Sequence, residues 1–190
     1  DRVNAFFGEG IIAGSVILLT GEPGVGKSTF LLYLASILDK NKKKFYFSGE
    51  ESINQIKKRI NRLNIQEINL FVSNENNVEK IIEQCKKDKP DVIFIDSIQT
   101  CFSSEVETIH GTITQIKQCS SLLIQFAKQY SIPIIITGHV TKSGDIAGPK
   151  LMEHMVDVVV VFESEFNFFY RVIRSKKNRY GSIDEILIFE

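Results

Sequence analysis

The sequence predicts an α/β fold, a mainly parallel sheet flanked by helices with an antiparallel β extension at its C-terminal end. Three observations predict it. An apolar, β-rich run at 16–20 leads into Gly21-Glu22-Pro23-Gly24-Val25-Gly26-Lys27-Ser28-Thr29 and then into the apolar stretch 30–35. Val92-Ile93-Phe94-Ile95-Asp96 is apolar up to its last residue, as in a strand covered on both faces of a parallel sheet. Three strand-like runs, 156–162, 168–174 and 183–189, have turn signals between them and no helix, which implies an antiparallel meander.

The elements follow in order. Gly8, Gly10 and Gly14 punctuate apolar residues before the first strand, which reads as a turn. The first helix is expected to run to about Asp39, where the lysine run 40–44 ends it as a solvated loop that also complements the helix dipole. Residues 45–48 read as the second strand, stopping at Gly49-Glu50-Glu51-Ser52. Ile53, Ile56, Ile60 and Leu63 mark one face of a helix, with Lys57, Lys58, Arg59 and Arg62 on its other side. A short third strand at 69–72 precedes a helix over 77–87 with Val78, Ile81, Ile82 and Cys85 turned inward. After the strand 92–96, residues 100–111 form a polar loop. A long helix over 112–130 carries Ile113, Ile116, Leu122, Leu123 and Phe126 at core-facing spacing. A buried strand over 133–138 ends at His139, and 140–154 reads as a second loop containing Gly144, Gly148 and Pro149.

The string 21–29 fits G-x4-G-K-S/T at every fixed position, between a strand and a helix. The chemistry explains the pattern. The glycines let the backbone curl its N–H groups around a polyphosphate, and the helix N-terminus adds anion stabilisation. Lys27 brings charge to the β/γ-phosphates and the Ser28 hydroxyl ligates Mg²⁺. Gly21, Glu22, Pro23, Gly24, Val25, Gly26, Lys27, Ser28 and Thr29 are therefore the expected binding set for a nucleoside triphosphate with Mg²⁺; the loop reads phosphates rather than the base. An apolar strand ending in Asp96 downstream of such a loop is a Walker B pattern, with the carboxylate holding Mg²⁺ directly or through water.

Composition bounds the function. The 190 residues are most simply one domain, large enough to bury a core. Lys+Arg and Asp+Glu balance at 23 each, so a nucleic-acid role requires a local patch rather than a global basic field. Cys85, Cys101 and Cys119 are too widely spaced for a zinc set, and their odd number suggests reduced thiols in a cytoplasmic protein. The apolar runs are too short for a membrane span. A first residue of Asp rather than Met suggests a fragment or a processed chain.

Further strings extend the pattern: Ser-Gly-Glu-Glu-Ser (48–52), Ile-Asp-Ser-Ile-Gln-Thr (95–100), Gly-His-Val-Thr-Lys (138–142), Ile-Ala-Gly-Pro-Lys (146–150), Glu-His-Met-Val-Asp (153–157) and Lys-Asn-Arg-Tyr-Gly (177–181). Together with the phosphate loop they resemble, in order and across nearly the whole chain, the bacterial RadA (Sms) family. That resemblance implies a RecA-like P-loop ATPase core, related to RecA recombinases and DnaB-type helicases. It implies an ATP-hydrolysing DNA repair and recombination motor, forming hexameric rings on single-stranded DNA, driving branch migration and working with RecA recombinase. The family's four-cysteine zinc motif and its Lon-protease-like domain are absent from 1–190. Tyr180 stands where the family has Phe, and Glu9 where it usually has Gly.

The resemblance also implies roles. Glu50, just past the second strand, would polarise the attacking water, with its neighbour Glu51 as the alternative. Gln99 and His139 would report the γ-phosphate. Lys177 and Arg179 would act across a subunit boundary as a basic finger pair. The loops 100–112 and 140–154 resemble DNA-binding loops, with Lys142 and Lys150 as phosphate contacts and Thr141 and Ser143 as neutral partners. Two other readings stay open: a RecA-like protein that holds single-stranded DNA without translocating, and a RecA-like P-loop kinase.

Overall fold

The computed structural model describes residues 6–7, 10–66, 68–140, 147–164 and 170–189. In chain order the elements are β1 (Val16–Gly21), α1 (Lys27–Ile37), β2 (Lys44–Ser48), α2 (Ile53–Arg62), β3 (Leu70–Ser73), α3 (Val78–Asp88) and β4 (Val92–Asp96). A 3₁₀ turn (Ile98–Thr100), α4 (Ile113–Tyr130), β5 (Ile134–His139), α5 (Ala147–Met155), β6 (Val158–Ser164), β7 (Arg171–Asn178) and β8 (Ile186–Phe189) follow. One sheet holds all eight strands in the order β3-β2-β4-β5-β1-β6-β7-β8. It is parallel from β3 to β6, and β7 and β8 add to it antiparallel. The predicted architecture is the observed one.

Strand alternation divides the core between two faces of the sheet. Ile17 and Leu19 of β1, Phe94 and Ile135 pack with Leu31, Leu34 and Ile56 from α1 and α2. Val16 and Leu18, Ile93 and Ile95 pack on the other side with Ile81, Ile116, Leu123 and Met152. Full burial of side chains of this size contributes about 1.5–3 kcal/mol each, which holds the helices to both faces. Local signals set the helix starts. Ser52 and Gln55 form a reciprocal capping box at α2, and the Asn77 and Thr112 side chains accept N–H bonds at α3 and α4.

Several expectations need correction. The stretch 140–154 is not wholly loop, because α5 occupies its second half. Gly148 and Pro149 fall in its first turn, where proline is tolerated, and Met152 supplies the buried residue that the loop reading overlooked. Ile53 and Ile113 sit exposed at the first positions of their helices rather than in the core. The lysine run is not all solvated: Lys44 opens β2 fully buried, its Nζ donating to the Asp39 carbonyl at 2.8 Å. The strands of the extension begin two to three residues later than predicted, at 158, 171 and 186, with 165–169 outside the described residues. All three cysteines are free and buried. No described helix is long and apolar enough to cross a membrane.

Asp157 fastens the extension to the central strand. Its Oδ2 accepts the Val16 N–H at 2.9 Å and its Oδ1 accepts Arg179 Nη1 at 2.9 Å, while its own N–H bonds the Val16 carbonyl. Asp157→Ala strands a buried N–H at the start of β1. The expected cost is about 1–3 kcal/mol, read as a lower urea midpoint with an unchanged slope.

Candidate functional site

The carboxyl ends of β1, β2, β4 and β5 lie side by side, and the expected nucleotide-site residues of the first two thirds of the chain gather there. In open parallel sheets this edge is where ligands bind. The loop after β1 turns through Gly24 (φ 80°) and Gly26 (φ 108°), conformations that an L side chain rarely adopts. Lys27 is the first residue of α1 and is only 3% exposed. Its ammonium folds back along the loop and donates to the carbonyls of Gly21 and Glu22, both at 2.8 Å. Burial pushes its pKa down to about 8, against the opposing pull of Glu50 and Asp96.

Asp96 ends β4 with its carboxylate buried. Tyr46 Oη, from β2, donates to Oδ2 at 2.8 Å, and Thr137 Oγ1, from β5, donates to Oδ1 at 2.7 Å. A carboxylate can be kept in such a place only with partners of this kind. Ser28, half-buried, adds a hydroxyl beside Lys27. A hydroxyl and a carboxylate at a phosphate loop suit Mg²⁺, which takes oxygen ligands and shares its shell with substrate phosphates and water. Among the described residues no group of three His, Cys, Asp or Glu side chains forms a metal site of its own.

Glu50 follows β2 and turns toward the same edge. Its Oε1 accepts from Ser97 Oγ at 2.5 Å and meets His139 Nε2 at 2.5 Å. The His139 bond, reinforced by Ser97 and the nearby Lys27 charge, holds the carboxyl below the usual glutamate range despite its burial. Glu51 points elsewhere, into an ion pair with Arg59. The turn carrying both comes close to its neighbours at Gly49, where a Cβ would lie 2.2 Å from Thr100 Oγ1.

Gln99 sits in the 3₁₀ turn after β4 and donates from Nε2 to the His139 carbonyl at 3.1 Å. Three buried polar atoms near this edge have no hydrogen-bond partner among the described residues: Thr20 Oγ1, Gln99 Oε1 and His139 Nδ1. Unmatched buried groups at three adjacent strand ends are what a polar ligand would satisfy. Beside the loop, between α1 and the extension, Val25, Thr29, Tyr33, Leu63, Phe162 and Phe189 line an apolar cavity of about 360 Å³.

The other predicted residues lie elsewhere. Lys177 is near the end of β7, and its ammonium donates to the carbonyls of Glu153 at 2.9 Å and Val156 at 2.7 Å, at the C-terminal end of α5. Arg179 pairs with Asp157. Strand register sets Gly21 opposite Phe162 but Lys177 opposite Val159, and the Arg179 N–H meets the Asp157 carbonyl. The pair therefore occupies the opposite end of the sheet, with Arg179 roughly 16 Å from the phosphate loop at ~3.3 Å per residue. Lys150 is exposed on α5. Lys142, with Thr141 and Ser143, lies outside the described residues, as does Glu9.

Residues that the sequence reading passed over complete the site. Tyr46 looked like one more aromatic of a buried strand, Ser97 was an unremarked neighbour of Asp96, and Thr137 was absorbed into an apolar run. A hydroxyl amid β-branched apolar residues was the available signal for Thr137.

The family described as an AAA domain matches residues 2–145. "DNA repair protein RadA" of Listeria monocytogenes is 48% identical over the whole chain, which spans 42% of that protein. The protein of the same name from Aquifex aeolicus is 45% identical over the whole chain, which spans 43% of it. The chain thus spans less than half the length of these relatives, and the resemblance to RadA proteins read from the motifs extends along all of it. Among solved structures, the flagellar accessory protein FlaH of Methanocaldococcus jannaschii superposes with a TM-score of 0.72 at 19% identity, covering 100% of this chain and 90% of that one. The RadB recombinase gives 0.70 at 17%, covering 100% and 92%. The fold is RecA-like, a mainly parallel sheet with flanking helices and an antiparallel extension.

The depressed Lys27 pKa has a consequence for binding. The ammonium is fully present well below pH 8 and is lost as pH rises through about 8. Triphosphate affinity is expected to fall between roughly pH 7 and 9, measured by titrating a fluorescent nucleotide, with Lys27→Ala weak and flat across the same window. A flat wild-type profile would contradict the assignment of Lys27.

Proposed function

The chain belongs to the AAA domain family, and from that premise we propose that it is the ATPase core of a RadA-type DNA repair motor. The observation that carries the proposal is the convergence of Lys27, Asp96 and Glu50 at one sheet edge, with Glu50 rather than Glu51 turned toward it.

The triphosphate lies along the loop 21–29, with Lys27 exchanging its carbonyl partners for phosphate oxygens. The base and ribose take the apolar cavity between α1 and the extension. Ser28 and Asp96 would hold Mg²⁺, which would supply positive charge to offset that of the phosphates. Glu50 accepts a proton from the water that attacks the γ-phosphorus as the bond to the departing ADP oxygen breaks. Its lowered pKa keeps it ionised and ready at neutral pH. Gln99 and His139 sense the γ-phosphate, and because His139 ends β5 close to Lys142 in sequence, they relay nucleotide state to the DNA-contacting residues. Lys142 and Lys150 contact single-stranded DNA.

Lys177 and Arg179 lie too far along the sheet to reach their own chain's phosphates, which supports a role on a neighbour's. That geometry suits a ring of identical subunits, a hexamer as the resemblance implies, acting in the cytoplasm with RecA recombinase in branch migration. In such a ring Arg179→Ala is expected to retain nucleotide binding and lose hydrolysis by about 10³-fold or more. Unchanged hydrolysis in that variant removes the trans role.

The deciding experiment is Mg²⁺-dependent ATP hydrolysis with and without single-stranded DNA, alongside strand displacement. DNA-stimulated hydrolysis with displacement supports the motor. Stimulation without displacement favours a DNA-holding protein, and phosphate transfer to an acceptor other than water favours a kinase. Glu50→Gln is expected to bind ATP while its hydrolysis falls by about 10²–10⁴-fold.

A further inference from the structure

We infer that Arg59 is a positioning residue for water activation, tying the turn that carries Glu50 to the helix turn that carries Ser28. The inference rests on the hydrolytic reading of the site proposed above. Arg59 stands in the last turn of α2 and is half-buried, whereas its neighbours Lys57, Lys58 and Arg62 face solvent. Its Nη1 donates to Thr29 Oγ1 at 2.8 Å and its Nη2 pairs with Glu51 Oε1. One planar guanidinium thus joins the residue after Ser28 to the residue after Glu50. Among the described residues no other side-chain hydrogen bond connects α2, or the turn before it, to α1.

The rest of that turn is fastened from the opposite side. The Glu51 N–H bonds Ser48 Oγ at 3.1 Å, and Asn74 Nδ2 donates to the carbonyls of Ser48 at 2.7 Å and Glu51 at 2.8 Å. These bonds fix the turn to the sheet but not to the phosphate loop. Arg59 supplies that second fixing. It also selects between two adjacent carboxylates. Glu51 is drawn into the ion pair, so Glu50 alone faces Ser97 and His139, with Lys27 close by. An exposed ion pair would count for little, but here each side chain of the pair is only 23% exposed and the donor is a forked one. A lysine presents a single ammonium and cannot hold both acceptors in one plane. A displacement of about 1 Å in the water-activating group costs on the order of 10²-fold in rate.

The test uses the full chain and six variants: Arg59→Ala, Arg59→Lys, Glu51→Gln, Thr29→Val, Glu50→Gln and the double variant Arg59→Ala/Glu51→Gln. For each, kcat and KM for ATP with Mg²⁺ are measured, together with the Kd of a fluorescent nucleotide and the melting temperature. Arg59→Ala is expected to lower kcat by about 10–100-fold with Kd changed by less than about threefold, and Arg59→Lys to restore little of the loss. The double variant Arg59→Ala/Glu51→Gln is expected to be no slower than Arg59→Ala alone, since both remove one interaction. A wild-type kcat in Arg59→Ala, a loss confined to Kd, or multiplicative effects with Glu51→Gln would each overturn the inference. Should Arg59→Ala not fold, Glu51→Gln and Thr29→Val each remove one arm of the clamp, and wild-type kcat in both overturns it equally. Glu50→Gln separates the two levels. Full hydrolysis in that variant defeats the hydrolytic reading itself, whereas a dead Glu50→Gln beside a fully active Arg59→Ala defeats the clamp alone.

Discussion

Lys27 and Asp96 are taken out of water at the same edge of the sheet, and neither charge can be kept there without dedicated partners. The ammonium is held by two carbonyls of its own loop, which requires the backbone to double back through left-handed glycines. The carboxylate is held by hydroxyls from the strands on either side, Tyr46 of β2 and Thr137 of β5. Those two bonds operate only if β2, β4 and β5 are neighbours in one register, so the polar requirement of a single aspartate and the hydrophobic packing of the sheet enforce the same strand order. Each local arrangement supports the global one, which is the condition for a well-defined native state.

The same edge is deliberately incomplete in its hydrogen bonding. Among the described residues Thr20, Gln99 and His139 each leave a buried polar atom unmatched, and Lys27 donates to two carbonyls of the loop. A site of this kind is poised for a polar ligand with its water: the Lys27 ammonium and the Thr20 hydroxyl can donate to an anion, while Gln99 Oε1 accepts from a donor such as water. Glu50 shows the complementary feature. Its carboxylate is restrained by Ser97 and His139, residues that follow or end two other strands, so its position reports on several elements at once. His139 thus contacts Glu50 through its side chain while ending β5.

The far end of the sheet is organised on different terms. There Asp157 joins the first residue of β1 to the residue after β7, and Lys177 caps the carbonyls at the end of α5. These bonds make the β extension continuous with the central sheet rather than an appendage. They also leave Arg179 anchored yet about half exposed, with its side chain 48% accessible. The length of one strand therefore separates two chemically distinct ends of the same sheet, one holding Lys27, Asp96 and Glu50 and the other the basic pair Lys177 and Arg179.

By itself the sequence determined the α/β class, the phosphate loop, the terminal carboxylate of β4 and the antiparallel meander. These depend on short-range spacing: glycines at fixed intervals, continuous apolar runs and turn residues, all of which act within a few residues of chain. The helix α5 escaped because Gly148 and Pro149 read as punctuation although they occupy a first turn, where neither breaks a helix. Burial of Lys44, exposure of Ile53 and Ile113, and the separation of Glu50 from Glu51 were decided only by the tertiary structure. So were the hydroxyls on Asp96 and the clamp at Arg59. Each of these joins residues from different elements, 41 positions apart for Thr137 and Asp96 and 30 for Arg59 and Thr29. Two adjacent glutamates have the same intrinsic chemistry and nearly the same local sequence. What distinguishes them is which charge the folded chain brings to each, and that is a property of distance in space, not of position along the chain.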